Sequence, residues 1–193
     1  MSEADTLDRL DAERARLFAL IGRLLSAAPD AALLDRLATL PGDASPLGRA
    51  YAGLAQAAIQ TGAEAVEREF FTLFIGVGRG EILPYASYYL TGFLHERPLA
   101  ELRGTLGALG IQRAPGVPEP EDHIAFVCEV YAGLIDGRYA GDPGEFFARH
   151  MKPWAGRLFA DLEAAEGARF YRAVGALARI AIDIEAAAAA LPR

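Results

Sequence analysis

Several residue types that mark common protein classes are scarce in this chain of 193 residues. The one cysteine, Cys128, excludes an intramolecular disulfide and suits a reducing compartment. The three histidines lack the close spacing to one another that is typical of a zinc site. We therefore expect neither a disulfide-stabilised domain nor a metal centre.

Positive charge is also in short supply, with 19 lysine and arginine residues against 26 acids and a formal charge of −7. Phosphate binding needs a basic face, so nucleic acid is not an expected partner. The longest stretch without charge, Ala50–Ala63, is shorter than the roughly 20 apolar residues of a membrane span. The early acids Glu3, Asp5 and Asp8 oppose a secretory signal. We predict a cytoplasmic protein without stable membrane insertion.

Alternating β-branched runs are nearly absent, whereas alanine and leucine recur at helical spacing. The first helix is predicted over about Leu7 to Ala27. Asp30 and Ser45 are placed to cap later helices, and Thr61 with Glu64 has the spacing of a capping box. We predict an all-α fold, a single bundle of about nine to eleven helices without a sheet.

The segment Ile111–Pro120 combines three prolines with a glycine, and both residue types interrupt helices. We interpret it as a hinge within one domain covering residues 1–193, and two lobes around this hinge are one option. The helix predicted after it, Ile124–Ile135, contains a single charged residue, Glu129. A helix that is apolar nearly all round is expected at the centre of a bundle.

The stretch PEPEDHI, residues 118–124, places three acids beside a histidine. One histidine among carboxylates does not match the ligand sets of zinc, and no serine or cysteine is marked as the nucleophile of a triad. Prolines followed by Glu121 and Asp122 are typical of a helix N-terminus, where carboxylates cap free N–H groups. A recognition surface is equally consistent with these residues, and the pattern alone does not separate the two interpretations.

The stretch Phe70–Tyr89 is rich in aromatic residues and contains Gly76, Gly78 and Gly80. This G-x-G-x-G pattern lacks the Lys-Ser/Thr of a Walker loop and follows no strand, which favours a flexible connector over a nucleotide site. The phenylalanines and tyrosines are expected partly in the core and partly in an apolar groove with polar edges.

The only tryptophan, Trp154, ends the stretch Phe146–Trp154. Packing of two helices around the proline break at Pro153 is the favoured interpretation here. His150 is then expected at the end of its helix.

Three short motifs lie in order along the chain. The first is L-F-x-G … P-x-x-S-x-Y at Leu73, Phe74, Gly76, Pro84, Ser87 and Tyr89 (or its neighbour Tyr88). The second is E-P-x-D-H at Glu119, Pro120, Asp122 and His123. The third is F-x-x-x-H-x-x-P-W at Phe146, His150, Pro153 and Trp154. Together with the helical pattern, they resemble the TorD/DmsD/NarJ family of cytoplasmic redox-enzyme maturation chaperones over most of the chain.

The resemblance implies an all-α protein without catalytic activity, metal or resident cofactor, although it leaves weak GTP binding open. It implies a chaperone that binds the twin-arginine signal peptide of a molybdopterin-containing oxidoreductase and holds the precursor until its cofactor is inserted. A monomer and a domain-swapped homodimer both remain possible. Tryptophans are frequent in the first motif in parts of the family, whereas this chain has Phe70, Phe71 and Tyr85, so the client is not defined.

A twin-arginine leader carries a basic region followed by an apolar segment. Its receptor is expected to offer carboxylates beside an aromatic groove. The predicted peptide-binding residues are Phe71, Leu73, Phe74, Pro84, Tyr85, Ser87, Tyr88, Tyr89, Glu119, Glu121, Asp122 and His123.

Two other functions are kept as alternatives. One is a nucleotide-dependent hydrolase that uses the Gly76–Gly80 loop and the pair Asp122 and His123. The other is a helical adaptor without a peptide groove.

Overall fold

The computed structural model describes residues 3–114, 116 and 118–190. Within these residues there are ten α-helices, one π-helical turn and no strand, so the predicted all-α fold and its helix number are confirmed. The helices are α1 (Glu3–Ser26), α2 (Ala31–Leu37), α3 (Pro46–Ile59), α4 (Ala63–Phe70), α5 (Ala86–Thr91), α6 (Arg97–Ala108), α7 (Ile124–Ile135), α8 (Pro143–His150), α9 (Ala155–Ala164) and α10 (Phe170–Ala188). The π turn, Phe71–Ile75, directly follows α4.

The chain divides into two compact units. Unit 1 comprises Met1–Ser26 and Tyr85–Trp154, and unit 2 comprises Ala27–Pro84 and Ala155–Arg193. The predicted hinge segment lies inside unit 1, and its residues Pro115 and Val117 lie outside the described residues. Hinge motion at this segment stays a prediction.

Unit 1 is built around α7, which packs along α1. Most of α7 is buried because nearly every one of its positions is apolar, as the sequence pattern indicates. Gly22 of α1 permits this close approach, since a Cβ atom there would lie 2.9 Å from the carbonyl oxygen of Ala125. The ring of Phe18 meets the ring of Tyr131 edge to face at 4.7 Å. The helix predicted to be central therefore forms the core of this unit.

Unit 2 is built around α10, which packs against α3 and α9. Two carboxylates from earlier in the chain hold the connection before α10. Glu69 accepts hydrogen bonds from the backbone N–H groups of residues 169, 170 and 171, at 2.8, 3.1 and 2.7 Å. Glu81 accepts from the N–H groups of residues 166 and 167, at 2.7 and 3.2 Å. Free N–H groups at the start of a helix need such acceptors.

The predicted helix caps are mostly confirmed. Asp30 accepts from the N–H of Leu33 at 2.8 Å, and Ser45 accepts from the N–H of Gly48 at 2.9 Å. The predicted capping box of Thr61 and Glu64 is wrong, because α4 begins one residue later with Gly62 as its N-cap and without a side-chain cap. The sequence interpretation also missed α5 and the π turn, which are both short.

Candidate functional site

The acidic motif before α7 meets the start of α5 within unit 1. The carbonyl oxygen of Asp122 accepts from the N–H of Ala86 at 3.0 Å, and its side-chain Oδ2 accepts from the N–H of Ser87 at 2.9 Å. Asp122 is 1% exposed, and its Oδ1 has no hydrogen-bond partner among the described residues. Asp122 therefore caps α5 rather than the helix that its own segment opens.

His123 is the residue that caps α7. Its Nδ1 accepts from the N–H of Ala125 at 3.2 Å, which places the proton of the neutral ring on Nε2. The ring of Tyr85 lies edge to face with the imidazole at 5.1 Å. Burial lowers the pKa of His123, although the charges of Glu119 and Asp122 oppose this shift. A neutral imidazole is the form that can accept the capping hydrogen bond.

Glu119 is exposed and is bonded to the side chain of Tyr85. The Tyr85 hydroxyl donates to Oε2 of Glu119 at 2.5 Å. Burial raises the pKa of Tyr85, and the hydrogen bond to Glu119 and the charge of Glu119 raise it further. Arg113 Nη1 donates to the backbone carbonyl of Glu119 at 2.6 Å. The carboxylate of Glu119 thus stands at the surface beside an aromatic ring.

Glu121 is already engaged by a cation of the same unit. Arg103 donates from Nε and Nη2 to Oε2 of Glu121, at 2.9 and 2.8 Å. Burial favours the neutral form of Glu121, but hydrogen bonds from Arg103 and the backbone, together with the charges of Arg103 and Arg113, lower its pKa. An incoming arginine would have to displace Arg103 or share the carboxylate with it.

The structure brings five of the predicted site residues together in unit 1: Tyr85, Ser87, Glu119, Asp122 and His123. We call these residues the cap cluster. Tyr88 is half-buried, whereas Tyr89 is buried, with its ring 5.9 Å from that of Trp154.

The other predicted residues of the first motif lie in unit 2. Leu73 and Pro84 are buried, and Phe74 packs its ring against Phe70 and Tyr171 at 5.0 and 5.2 Å. Phe71, in the π turn, is 45% exposed. Contact of these residues with a peptide stays a prediction.

The three-glycine loop closes back onto the π turn. Gly76 has a φ of 63°, a left-handed conformation that favours glycine. The N–H of Ile82 donates to the carbonyl of Leu73 at 2.8 Å, which returns the chain to the π turn. The loop follows a helix and belongs to unit 2, whereas Asp122 and His123 belong to unit 1. Nucleotide binding by the loop stays a prediction.

A second polar arrangement in unit 1 involves α6 and α8. Nε2 of His150, the last residue of α8, lies 2.8 Å from Oγ1 of Thr105. His150 and Thr105 border a pocket of about 410 Å³. The indole N–H of Trp154 donates to the carbonyl of His150 at 2.7 Å. Burial and the charge of Arg149 lower the pKa of His150 to about 4, with Glu101 opposing. The predicted position of His150 at a helix end is confirmed.

Sequence reasoning missed two kinds of residue in unit 1. Arg103 and Arg113 hold the acidic motif from 18 and 6 positions away, and no motif in the sequence marked either residue. The end of α5 and the turn after it expose Leu90, Phe93 and Leu94. Large apolar residues around a glycine, in the stretch LTGFL, were the available signal for this turn.

Neither a metal site nor a membrane span emerges from the described part of the chain. No group of three or more His, Cys, Asp or Glu side chains there is placed to hold a metal ion. No helix in this part is both long enough and apolar enough to cross a membrane.

Known proteins resemble this chain in both fold and sequence. A crystal structure from Archaeoglobus fulgidus, described as a redox enzyme maturation protein, matches 89% of this chain and 92% of its own, with a TM-score of 0.54 and 20% identity. At this identity the match establishes an all-helical fold alone.

The sequence comparisons identify the family. Chaperone protein TorD of Vibrio cholerae serotype O1 (strain ATCC 39315) is 39% identical over 67 residues, which are 34% of this chain and 30% of that protein. Chaperone protein TorD of Actinobacillus succinogenes is 28% identical over 95 residues, 49% of each chain. The matches thus span less than half the length of these curated relatives. The family model of the nitrate reductase delta subunit matches residues 40–160. The chain belongs to this family, the TorD/NarJ family, as its three motifs indicated.

Proposed function

We propose that this protein is a cytoplasmic chaperone that binds the twin-arginine signal peptide of a molybdopterin-containing oxidoreductase and assists maturation before export. Family membership is the observation that carries this proposal, because the matched relatives are named chaperones. The protein acts by binding and not by catalysis, and it needs no resident cofactor. Its partner is the enzyme precursor, held until the cofactor of that enzyme is inserted.

The cap cluster supplies chemistry that suits the basic part of a leader. An incoming guanidinium group can pair bidentately only with a carboxylate that it can reach from solvent, and Glu119 is exposed. The half-buried ring of Tyr85 donates its hydroxyl to this carboxylate, and the ring of His123 lies 5.1 Å from that of Tyr85. In this proposal Glu121 contributes a second carboxylate when Arg103 shares it.

The remaining predicted residues divide by exposure. Phe71 is exposed, and Phe74 and Tyr88 are half-buried, so these three are proposed to contact apolar parts of the leader. The buried residues are proposed to hold the contacting residues of their own unit in place: Leu73 and Pro84 in unit 2, and Ser87, Tyr89 and Asp122 in unit 1.

The test is calorimetric titration of the purified protein with a synthetic leader peptide that carries two consecutive arginines followed by an apolar segment. We expect binding that weakens about tenfold when both arginines are replaced by lysine, because lysine cannot pair bidentately. Glu119→Gln should weaken binding similarly, whereas Glu64→Gln, a control at a side chain that is 92% exposed, should not. No binding of the peptide by the folded wild-type protein would contradict the proposal.

Capture of the client provides a second test. The tagged protein is recovered from its native cells, and the bound proteins are identified by mass spectrometry. Recovery of a molybdoenzyme precursor with its leader attached supports the chaperone function. Recovery of no such precursor from cells that express one, together with GTP turnover that is lost in Asp122→Ala, would favour the hydrolase instead. Light scattering of the purified protein then decides between a monomer and a swapped dimer.

A further inference from the structure

The end of α5 and the turn that follows it present large apolar side chains to solvent. Leu90, Phe93 and Leu94 are 43%, 70% and 40% exposed. We call residues 90–94 the apolar turn. Exposed large apolar side chains gathered in one short segment are typical of an interaction surface rather than of random exposure.

The backbone of the apolar turn is fixed by specific contacts. Oγ1 of Thr91 donates to the carbonyl of Ser87 at 2.8 Å, and the N–H of Glu96 donates to Oγ of Ser87 at 3.3 Å. His95, directly after the turn, has a φ of 61°, which is uncommon for a residue other than glycine. Such a conformation persists where the surroundings hold it, and it is enriched at functional sites.

Ser87 connects the apolar turn to the cap cluster. Its N–H donates to Oδ2 of Asp122, while its carbonyl oxygen accepts from Thr91 in the turn and its hydroxyl oxygen accepts from the N–H of Glu96 just beyond the turn. Tyr85 directly precedes α5, and the apolar turn begins with the last two residues of this six-residue helix. At about 1.5 Å per residue, this helix places the two surfaces within the reach of a short peptide.

We propose that the apolar turn binds the apolar segment of the leader, while the cap cluster binds its arginines. Asp122 is then a positioning residue, which sets the spacing of the two surfaces through Ser87. This inference rests on the proposed function. The leader fits these surfaces because its basic part is followed by an apolar part. The exposed carboxylate of Glu119 suits the basic part, and the apolar turn, which α5 connects to the cap cluster, suits the apolar part. Tyr89, predicted for the apolar role, is buried.

The experiment compares two synthetic peptides by calorimetric titration. One carries two consecutive arginines followed by a leucine- and alanine-rich segment, and the other ends after the arginine pair. Phe93→Ser should weaken binding of the long peptide about tenfold, since a large side chain loses its apolar contact. The same variant should bind the short peptide as the wild type does. Ile59→Ser, at an apolar residue of α3 that is 61% exposed, is the matched control.

The outcomes separate this inference from the proposed function. If the wild-type protein binds neither peptide, both are overturned. If the wild type binds the long peptide and folded Phe93→Ser binds it equally well, the role of the apolar turn alone is overturned. Equal weakening by Ile59→Ser would also overturn it, because the effect would not belong to the turn. Circular dichroism establishes that each variant is folded, and Leu90→Ser provides a second variant of the turn.

Discussion

Carboxyl groups anchor short backbone segments in both units, but they do so differently. In unit 2, Glu69 accepts from three backbone N–H groups and Glu81 from two. In unit 1, the side chain of Asp122 accepts from Ser87 alone among the described residues. Its second oxygen is buried without a partner among the described residues.

We infer from this difference that Glu69 and Glu81 contribute to stability, whereas Asp122 also positions a binding surface. The carboxylate oxygens of Glu69 and Glu81 accept hydrogen bonds from backbone N–H groups, so a structural role is sufficient to explain both residues. A buried acceptor without a partner is costly, and such groups are rare unless another requirement maintains them. Asp122 lies next to the exposed Glu119 and holds the helix that leads to the apolar turn. Substitutions in the two units should therefore affect different measurements.

The largest expected effect belongs to unit 2. Glu69→Ala should lower the free energy of unfolding by about 3–4 kcal/mol, because three N–H groups at the start of α10 lose a charged acceptor. Urea denaturation followed by circular dichroism measures this change. Glu67→Ala, at an exposed position of α4, the helix that carries Glu69, should change the free energy of unfolding by less than about 0.5 kcal/mol. If Glu69→Ala lowers the free energy of unfolding by less than about 1 kcal/mol, or if it weakens leader binding, the proposed difference between the anchors of the two units is contradicted.

The next largest effect is a dependence of stability on pH, which is expected from the buried, neutral His150 of unit 1. The pKa of His150 is lowered to about 4 by burial and by Arg149, from an ordinary value of 6.5. Between these two values the unfolded state binds more protons than the folded state, so stability falls as the pH is lowered. The loss is at most about 3 kcal/mol and is complete near pH 4. Urea titrations from pH 7 to pH 4 should show a smaller loss of stability in His150→Gln than in the wild type. The same dependence of stability on pH in both proteins would contradict the role of His150.

Asp122 should show a smaller loss of stability together with a change in binding. Asp122→Ala should lower the free energy of unfolding by about 1–2 kcal/mol, because the buried N–H of Ser87 loses its acceptor. Affinity for the leader should fall about fivefold or more, with an unchanged dependence on salt, since this side chain positions and does not pair. Asp122→Asn keeps an acceptor and should restore most of both properties. If the asparagine variant is as weak as the alanine variant, a direct role of the carboxyl group replaces the positioning role.

The smallest effect is expected at the ion pair of Glu121 with Arg103. Their side chains are 14% and 53% exposed, and pairs near the surface contribute below about 1 kcal/mol. A double-mutant cycle with Glu121→Gln and Arg103→Gln measures the coupling. Burial opposes the shift, but Arg103 contributes to a net lowering of the pKa of Glu121, so the coupling should be present at neutral pH and lost as the pH falls through the acidic range. Coupling that persists in full at the lowest pH would contradict an ionic origin.

Local patterns were sufficient for the parts of the fold that depend on neighbours in sequence. The bounds of α7 follow from its nearly uniform apolar composition, and Asp30 caps a helix that begins at the next residue. The family motifs also led to the two segments that form the cap cluster.

The contacts that build the site could not be predicted because they join distant residues. Asp122 lies 35 positions from Ser87, and Glu69 lies about 100 positions from the N–H groups that it accepts. A proline followed by acids predicts a capped helix, but it does not reveal which helix the acid caps. Asp122 was expected to serve α7, where His123 performs this role instead. A six-residue helix such as α5 is also too short for its periodicity to be recognised.

The position of Trp154 has a practical consequence for observing the two units separately. It is the chain's one tryptophan, is 1% exposed, and is the last residue of unit 1. Its fluorescence therefore reports the environment of unit 1, whereas far-ultraviolet circular dichroism averages the helices of both units. Coincident unfolding transitions by the two signals would indicate a single cooperative molecule. Separate transitions would mean that each unit melts on its own, and the native tryptophan would reveal this without any added dye.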